Sequence, residues 1–237
     1  MTTYRLNSQR RTPLTSLVMD RYRIGRMHNP MRGLLHGAAA AAAMVGAAIL
    51  AARALETRHL LAGLAFALSL FAMFTVSSLY HSVNWQDRRR VFMQRLDHSM
   101  IFLVVAATFT PFGVVVLDGW LRAGLLALVW AMAAVGIVLK FALPRVKTGL
   151  SVGIQHSMGW LSLAAMPLIW QRVGPGAVLL VFAGGVCYTV GTVIFAIKRP
   201  RMFPNVFSYH ELFHVLVVAG STLHFLAVLW YVMPYRP

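Results

Sequence analysis

Two histidines one helical turn apart open the last apolar stretch of this chain, in the segment Ser208-Tyr-His210-Glu211-Leu-Phe-His214. Residues i and i+4 share a helix face, so His210 and His214 can bind one metal ion through their ring nitrogens. The same segment fits the H-E-x-x-H pattern of zinc proteases, in which the glutamate is the general base. It also fits a capping box, S-x-x-E, in which Glu211 stabilises the start of a helix. The elements around this segment must decide between these interpretations.

Three more residues that could do chemistry lie upstream, in two other stretches. Ser77 and His81 have the same i, i+4 spacing at the end of the second apolar stretch, and Asp97 opens the third. Three neutral imidazoles are a common ligand set for catalytic Zn²⁺, with the fourth position left to water. A carboxylate can then hold that water and move its proton, while a hydroxyl can stabilise developing charge. The residue types predict a Zn²⁺ site with ligands His81, His210 and His214, catalytic carboxylate Asp97 and hydroxyl Ser77.

The composition indicates which elements carry these residues. The chain has 237 residues, of which 59% are hydrophobic and only 12% charged, and its mean hydropathy is +0.68. A soluble domain carries about twice that charge. Seven stretches lack Asp, Glu, Lys and Arg, and each is near or above the roughly 17–20 residues that cross a bilayer as a helix: 33–52, 59–86, 98–117, 123–139, 148–171, 173–197 and 212–235. The sequence predicts an all-α, integral membrane bundle of seven transmembrane helices over residues 33–233, after a basic tail, residues 1–32.

The basic residues lie mostly on one side of the predicted membrane. The net charge is +16, and 17 of the 22 Lys and Arg residues fall in the tail or in the second, fourth and sixth loops. The other side holds only Arg53, Arg58, Arg122, Arg172 and Arg236. The positive-inside rule then predicts a cytoplasmic N-terminus and an external C-terminus. The excess charge is explained by topology and by attraction to anionic headgroups, so membrane lipids are the expected partners and nucleic acid is not.

This topology places the polar residues in one layer. Even-numbered spans end, and odd-numbered spans begin, at the cytoplasmic surface. The layer therefore contains Ser77, His81, Asp97, His210, Glu211 and His214. A zinc protease would often take its third ligand from an acid further along the chain, but no Asp or Glu follows Glu211. The third ligand is therefore sought at His81, the catalytic carboxylate at Asp97, and Glu211 is left as the helix cap. Separate interfacial histidines are the alternative.

Four other polar residues in the apolar stretches are expected to serve packing. His36, in the first turn of span one, is interpreted as a packed or interfacial histidine. Gln155 and His156, in span five, are interpreted as interhelical hydrogen-bonding groups. His224 lies ten residues after His214, about 15 Å further along a helix, which is too far to join the same metal ion.

The combined motifs resemble the haemolysin III and progestin/adiponectin receptor family, in its bacterial haemolysin III-like branch. They are Ser77-x-x-x-His81, Arg95-Leu-Asp97-His98-Ser99-x-Ile101 and His210-Glu211-Leu-Phe-His214. The resemblance covers residues 30–233 and implies seven helices, a cytoplasmic N-terminus and a bacterial cytoplasmic (inner) membrane. It also implies Zn²⁺ held by three histidines that match His81, His210 and His214, with Ser77 and Asp97 beside the metal. The chain departs from the family before span one, where only His36-Gly37 of the first motif remains and Arg32 replaces an Asn.

The resemblance implies two kinds of function. Some family members and the related alkaline ceramidases are regarded as lipid amide hydrolases, which implies a membrane-embedded zinc hydrolase acting on a lipid amide or ester. The alternative is a receptor or a membrane-stress, haemolysin-like protein with a structural zinc, because the bacterial branch is associated with haemolysis. A pore-forming protein has little support, since no amphipathic pore-lining span stands out. A retinal protein is excluded, because no Lys follows Lys198.

Overall fold

The computed structural model describes residues 30–143, 148–203 and 207–236, and these ranges are helical apart from short connections. Eight α-helices lie in them: α1 Pro30–Arg53, α2 Thr57–Ser82, α3 Asp87–Pro111, α4 Gly119–Ala142, α5 Thr148–Trp160, α6 Met166–Val173, α7 Pro175–Ile197 and α8 Tyr209–Ala227. Two π-helical segments, Phe112–Val116 and Val228–Val232, extend α3 and α8. The predicted all-α fold is confirmed. The predicted basic tail lies almost entirely outside the described residues.

Six of these helices are long and apolar enough to cross a membrane. They are α1, α2, α4 and α7, together with α3 and α8 including their π-helical extensions. Large apolar side chains cover the outside of the bundle, and Leu61, Leu179 and Val193 are each more than half exposed. A soluble protein rarely leaves so much apolar surface in water, whereas a bilayer solvates it. The protein is therefore built as an integral membrane protein.

The segment predicted as span five is helical but broken. Helix α5 ends at Trp160, a 3₁₀ turn covers Leu161–Ala164, and α6 begins at Met166. Pro167 in the first turn of α6 explains the break, because its ring clashes with the carbonyl four residues earlier and it has no N–H to donate. Neither piece alone is long enough to count among the six spans. The seventh span and the orientation of the termini stay predictions.

Sequential helices pack side by side, and the last long helix returns to the first. Helix α1 packs along α2, α2 along α3 and α3 along α4, while α7 packs along α8 and α8 contacts α1. The main hydrophobic core lies where these elements meet and includes the fully buried Leu50, Phe66, Val228 and Met233. The contact between α8 and α1 matters most for function, because it brings the first turns of these two helices together.

A smaller hydrophobic cluster joins α3, α4 and α5. It contains Phe102, Val129 and Met158, each almost fully buried. Gly136 of α4 faces the Phe102 ring so closely that a Cβ there would collide with it. The missing side chain therefore lets α4 lie against α3, and this packing fixes the helix that carries Asp97.

Candidate metal centre

Three histidines from two helices face one another at one end of the bundle. His81 lies in the last turn of α2, and His210 and His214 lie in the first two turns of α8. One ring nitrogen from each lies within 4.8 Å of the others. The ring centroids are 5.3 Å apart for His81 and His210, 4.9 Å for His81 and His214, and 5.0 Å for the pair on α8. His81 and His214 are buried, whereas His210 is half-buried. Three nitrogen donors converging in this way can hold one metal ion.

The start of α8 is fixed by the capping box that the sequence predicts. The backbone N–H of Ser208 donates to Oε2 of Glu211 at 2.9 Å, and the reciprocal contact completes the box. The prediction that Glu211 caps the helix is confirmed. Because the cap determines where α8 begins, it also determines the position of His210 and His214 along the bundle axis relative to α2.

The second oxygen of Glu211 binds a residue of α1. Nε of Arg32 donates to Oε1 of Glu211 at 2.7 Å, and the carboxylate side is almost fully buried. Both oxygens of Glu211 therefore have partners, one in the cap of α8 and one on α1. Arg32 looked in the sequence like a departure from a family motif. In the structure it anchors α1 to the helix that carries two of the three histidines.

His36 lies one turn beyond Arg32 on α1 and contacts the cluster directly. It is 3% exposed, and its two ring nitrogens lie 2.9 and 3.2 Å from Nδ1 of His214. The two rings have centroids 4.0 Å apart. Of two neutral imidazoles in hydrogen-bonding contact, one donates and the other accepts. Sequence reasoning treated His36 as a packing residue, and its position in the same membrane layer was the signal that could have placed it here.

Ser77 and Asp97 meet beside the histidines. Ser77 lies one turn before His81 on α2 and is buried. Its hydroxyl hydrogen-bonds to the carboxyl group of Asp97, which projects from α3. Both residues line one cavity together with His36, His81, His210 and His214. The structure thus brings all five predicted site residues to one place and adds a fourth imidazole.

The sequence of this chain matches a known protein family. Residues 25–225 match the family model described as "Haemolysin-III related". The chain belongs to the haemolysin-III-related family. It is 32% identical to Hemolysin-3 of Bacillus cereus over 169 residues, which are 71% of this chain and 74% of the relative. It is 22% identical to the human monocyte to macrophage differentiation factor over 190 residues, 78% of this chain and 76% of the relative.

A third relative comes from a plant. The chain is 28% identical over 183 residues to the heptahelical transmembrane protein ADIPOR2 of Oryza sativa subsp. japonica, which covers 69% of this chain and 78% of that protein. These matches confirm the resemblance that the motifs indicated. The haemolysin-III match spans every residue of the cluster, from Arg32 to His214.

The polar residues predicted for span five have different partners. Nε2 of Gln155 donates to the backbone oxygen of His98 at 3.5 Å, so the expected interhelical hydrogen bond is present for this residue. His156 behaves otherwise, because its Nδ1 lies 3.0 Å from the oxygen of Val152, one turn back on its own helix. The expectation of an interhelical bond for His156 is wrong, since the carbonyl of its own preceding turn lies within reach. Both side chains line the cavity.

The cavity beside the histidines extends well beyond them. Its volume is about 550 Å³. Near the cluster its lining is polar, with Arg90, Asn84 and Lys140 among the contributing residues. Further along the bundle the lining becomes mostly apolar and includes Phe109, Phe112, Leu125 and Val181. A site of this shape suits an amphiphile, with its polar group at the cluster and its apolar part between the helices.

Proposed function

We propose that this haemolysin-III-related protein is a zinc-dependent hydrolase that acts on a lipid amide or ester in the bacterial cytoplasmic membrane. The observation that carries this proposal is the convergence of three imidazoles, a carboxylate and a hydroxyl on one elongated cavity. Zinc is the metal that the donor set favours, because neutral imidazole nitrogens suit Zn²⁺, whereas Mg²⁺ and Ca²⁺ prefer oxygen ligands.

The membrane arrangement we propose has seven spans. The broken pair α5 and α6 would form the fifth crossing, since residues 148–171 contain no charged side chain. The name of the rice relative, heptahelical transmembrane protein, supports this count. The bias of 17 among 22 basic residues supports a cytoplasmic N-terminus and an external C-terminus. The histidine cluster would then lie near the cytoplasmic surface, within the membrane domain of residues 33–233.

His81, His210 and His214 would hold the metal ion. When bound, Zn²⁺ supplies an activated water whose pKa is lowered to about 7 and polarises a carbonyl oxygen. Asp97 would orient that water or accept its proton, and this role is supported by the position of its carboxyl group, which borders the same cavity as the ligands. The hydroxyl of Ser77 fixes the orientation of that carboxyl group through their hydrogen bond. Ser77 also shares a helix face with His81 and so connects the carboxylate to a ligand.

A lipid is the substrate class that the cavity supports. The apolar wall between the helices can accept an acyl chain, and the basic residues Arg90 and Lys140 border the same cavity. A substrate in the bilayer could enter sideways and place its amide or ester beside the histidines. Membrane lipids are accordingly the partners that we propose.

The test uses the full chain, purified in lipid nanodiscs, with a panel of lipid amides and esters. We expect release of a free fatty acid, detected by mass spectrometry, together with about one zinc per chain. A chelator should abolish release and added zinc should restore it, whereas His81→Ala should remain inactive in both conditions. Hydrolysis that survives complete removal of zinc, or that persists in His81→Ala, would contradict the proposal.

A second candidate function is a receptor or haemolysin-like membrane protein with a structural zinc. The contact between His36 and His214 favours it, because structural zinc sites are usually closed by four protein ligands. Here His36 would become the fourth ligand and leave no position for water. The two candidates therefore differ in the atoms around the metal: three nitrogens and one oxygen for the hydrolase, four nitrogens for the structural site.

A further inference from the structure

The cavity extends past the histidine cluster toward the connection between α2 and α3. Tyr80 of α2, Asn84 of the connection and Arg90 of α3 line this part. Arg90 lies seven residues before Asp97 on α3, about 10 Å closer to the end of the bundle, whereas Phe109 of the apolar lining follows Asp97 in the opposite direction. The histidine cluster therefore lies between a polar group at the end of the bundle and an apolar part deeper within it.

A ligand in the cavity can reach the three side chains of this polar group. Arg90 and Asn84 are exposed, and Tyr80 is half-buried. The guanidinium group of Arg90 interacts with the hydroxyl of Tyr80, and the ring of Tyr80 lies 4.8 Å from the ring of His81, measured between centroids. Because a guanidinium group has five N–H donors, its contact with one hydroxyl leaves most of them available to a ligand.

This end of the cavity carries more positive than negative charge. Three cations, Arg32, Arg90 and Lys140, line the cavity together with one acid, Asp97. Arg32 is offset by its ion pair with Glu211, whereas Arg90 and Lys140 form no ion pair within the described part of the chain. Asp97 can offset only one of these two charges, and a metal ion at the histidines would add to the surplus. Because a cleft lined by one sign of charge attracts ligands of the other sign, this end favours an anionic group.

A phosphate group matches the donors of this end. A guanidinium group can donate two parallel hydrogen bonds to a phosphate, and the side chains of Tyr80 and Asn84 can donate to its remaining oxygens. The order of the parts also distinguishes a phosphate from a carboxylate. The carboxylate of a fatty acid is joined directly to the acyl chain, whereas the phosphate of a phospholipid is separated from that chain by the ester linkage. The cavity has the second order: cationic group, histidine cluster, apolar part.

We propose that Arg90, with Tyr80 and Asn84, binds the phosphate group of a lipid whose ester or amide lies at the histidine cluster and whose acyl chain lies in the apolar part of the cavity. We call these three residues the Arg90 subsite. The inference rests on the proposed function for the position of the ester or amide, and it narrows the substrate class to lipids that carry a phosphate group. Binding at this subsite does not itself require hydrolysis.

The probe is a pair of ether lipids, an alkyl ether of glycerol phosphate and the same alkyl ether of glycerol. They differ only in the phosphate group, and neither contains an ester or amide of a fatty acid. Their affinities for the zinc-loaded full chain are measured by native mass spectrometry in a maltoside detergent, which contains no competing phosphate. We expect the phosphate-bearing ether to bind roughly tenfold more tightly, the effect of hydrogen bonds to a charged group. Equal affinities, or no specific binding of either ether, would overturn the proposal.

Two further measurements identify what the phosphate group belongs to and what it binds. Glycerol phosphate without the alkyl chain should bind at least about a hundredfold more weakly, because it buries no apolar surface. Equal binding of glycerol phosphate and its alkyl ether would overturn the assignment to a lipid. After a chelator removes the zinc, the preference for the phosphate-bearing ether should persist, because the Arg90 subsite contains no metal ligand. Loss of the preference would show that the phosphate binds the metal instead.

Arg90→Gln is the decisive variant, because it keeps a polar side chain and removes the charge. It should bind the alkyl ether of glycerol as before, and its preference for the phosphate-bearing ether should fall to about twofold or less. Arg89→Gln is the matched control, since Arg89 is equally exposed and carries the same charge but does not line the cavity. This control should keep the tenfold preference. An equal loss in both variants would indicate general attraction to a basic surface and would contradict the subsite, as would an undiminished preference in Arg90→Gln.

A second variant tests the subsite at an uncharged position. Tyr80→Phe keeps the ring beside His81 and removes the hydroxyl, so the preference should fall by about threefold; an unchanged preference would contradict the role of Tyr80. Hydrolysis is measured separately, with the acyl esters of glycerol and of glycerol phosphate. Preferential binding of the phosphate-bearing ether without hydrolysis of either ester would support the subsite and contradict the proposed function. Hydrolysis of both esters without any preference in binding would do the reverse.

Discussion

Helix α8 carries histidines at two levels, and the two levels have different hydrogen-bonding partners. At the start of the helix, His210 and His214 face a third imidazole from α2, and their nitrogens converge within 4.8 Å. Further along the helix, His224 faces a backbone carbonyl and a tyrosine ring. The first arrangement can hold one cation, whereas in the second the imidazole donates to the backbone of the neighbouring helix. The partners that neighbouring helices supply, rather than the histidines themselves, decide what each histidine does.

The two groups also differ in how they are held. The cluster is anchored by charged contacts, in which both oxygens of Glu211 have partners and Arg32 joins α1 to α8. His224 is held by close packing at Gly184 and by a neutral hydrogen bond to the backbone oxygen of Val181. Charged anchoring at the cluster is consistent with a position near the membrane surface, and neutral packing with a position in its interior.

Loss of a ligand gives the largest expected difference between the two groups. His210→Ala should reduce bound zinc from about one ion per chain to background, because two imidazoles alone bind zinc weakly. His224→Ala should retain the full zinc content. Metal analysis of both purified variants by mass spectrometry measures this. Equal zinc content in the two variants would show that His210 contributes no more to zinc binding than His224 does.

Neutralising the carboxylate should affect catalysis without affecting the metal. Asp97→Asn keeps the size of the side chain but can no longer accept a proton, so we expect hydrolysis to fall by about 10²–10⁴-fold. Zinc content should stay near one per chain, since Asp97 is not among the three predicted ligands. Turnover of the best lipid substrate and the metal content are measured on the same sample. Unchanged turnover would favour the structural-zinc alternative.

Breaking the anchor at α1 should weaken the metal site by a smaller amount. Arg32→Gln removes the ion pair with Glu211, so α8 loses one constraint on its first turn, and zinc affinity should fall by about tenfold. Competition with a zinc-binding dye gives the affinity.

The matched control for this anchor is Glu56→Gln, which breaks the pair between Arg58 and Glu56. That pair has a similar separation of 2.8 Å, but its acidic side chain is 54% exposed, so little change is expected. An equal effect of the two substitutions would show that Arg32 acts only as a surface charge.

The smallest expected effect concerns the packing around His224. Gly184→Ala should destabilise the protein by about 1–3 kcal/mol, because the new methyl group collides with the His224 ring. Gly185→Ala, one position later, meets no atom within 4 Å and should be neutral or slightly stabilising. Thermal unfolding in detergent compares the two variants, and both should keep their zinc. If both substitutions destabilise the protein by a similar amount, alanine is unfavourable at this part of α7 in general, and the collision with the His224 ring is not the cause.

Much of the architecture could be predicted from the sequence because lipid imposes simple rules. Stretches without charge gave the long helices, and the i, i+4 spacing with the order of the spans gave the layer that contains His81, Asp97 and His214. The capping box at Glu211 could be read from four residues. These features depend on neighbours along the chain or on depth in the membrane, which a single sequence encodes directly.

Lateral contacts could not be predicted in the same way. Arg32 and Glu211 are 179 positions apart, and His36 and His214 are 178 apart. Depth in the membrane could have placed His36 in the same layer, although it was interpreted as a packing residue, and the packing of α1 against α8 determines which helix its ring meets. The break before α6 had a visible signal in Pro167, although apolar composition alone favoured one continuous span.

The coordination of the bound metal tests the central claim most directly. X-ray absorption at the zinc edge of the purified, zinc-loaded chain should give four light-atom ligands at about 2 Å, three of them imidazoles as counted from the multiple scattering of their rings. The same spectrum should be obtained from His36→Phe, because His36 contacts His214 rather than the metal in the hydrolase we propose. Four imidazole ligands in the native chain, reduced to three in His36→Phe, would contradict an open catalytic site and establish a closed structural one.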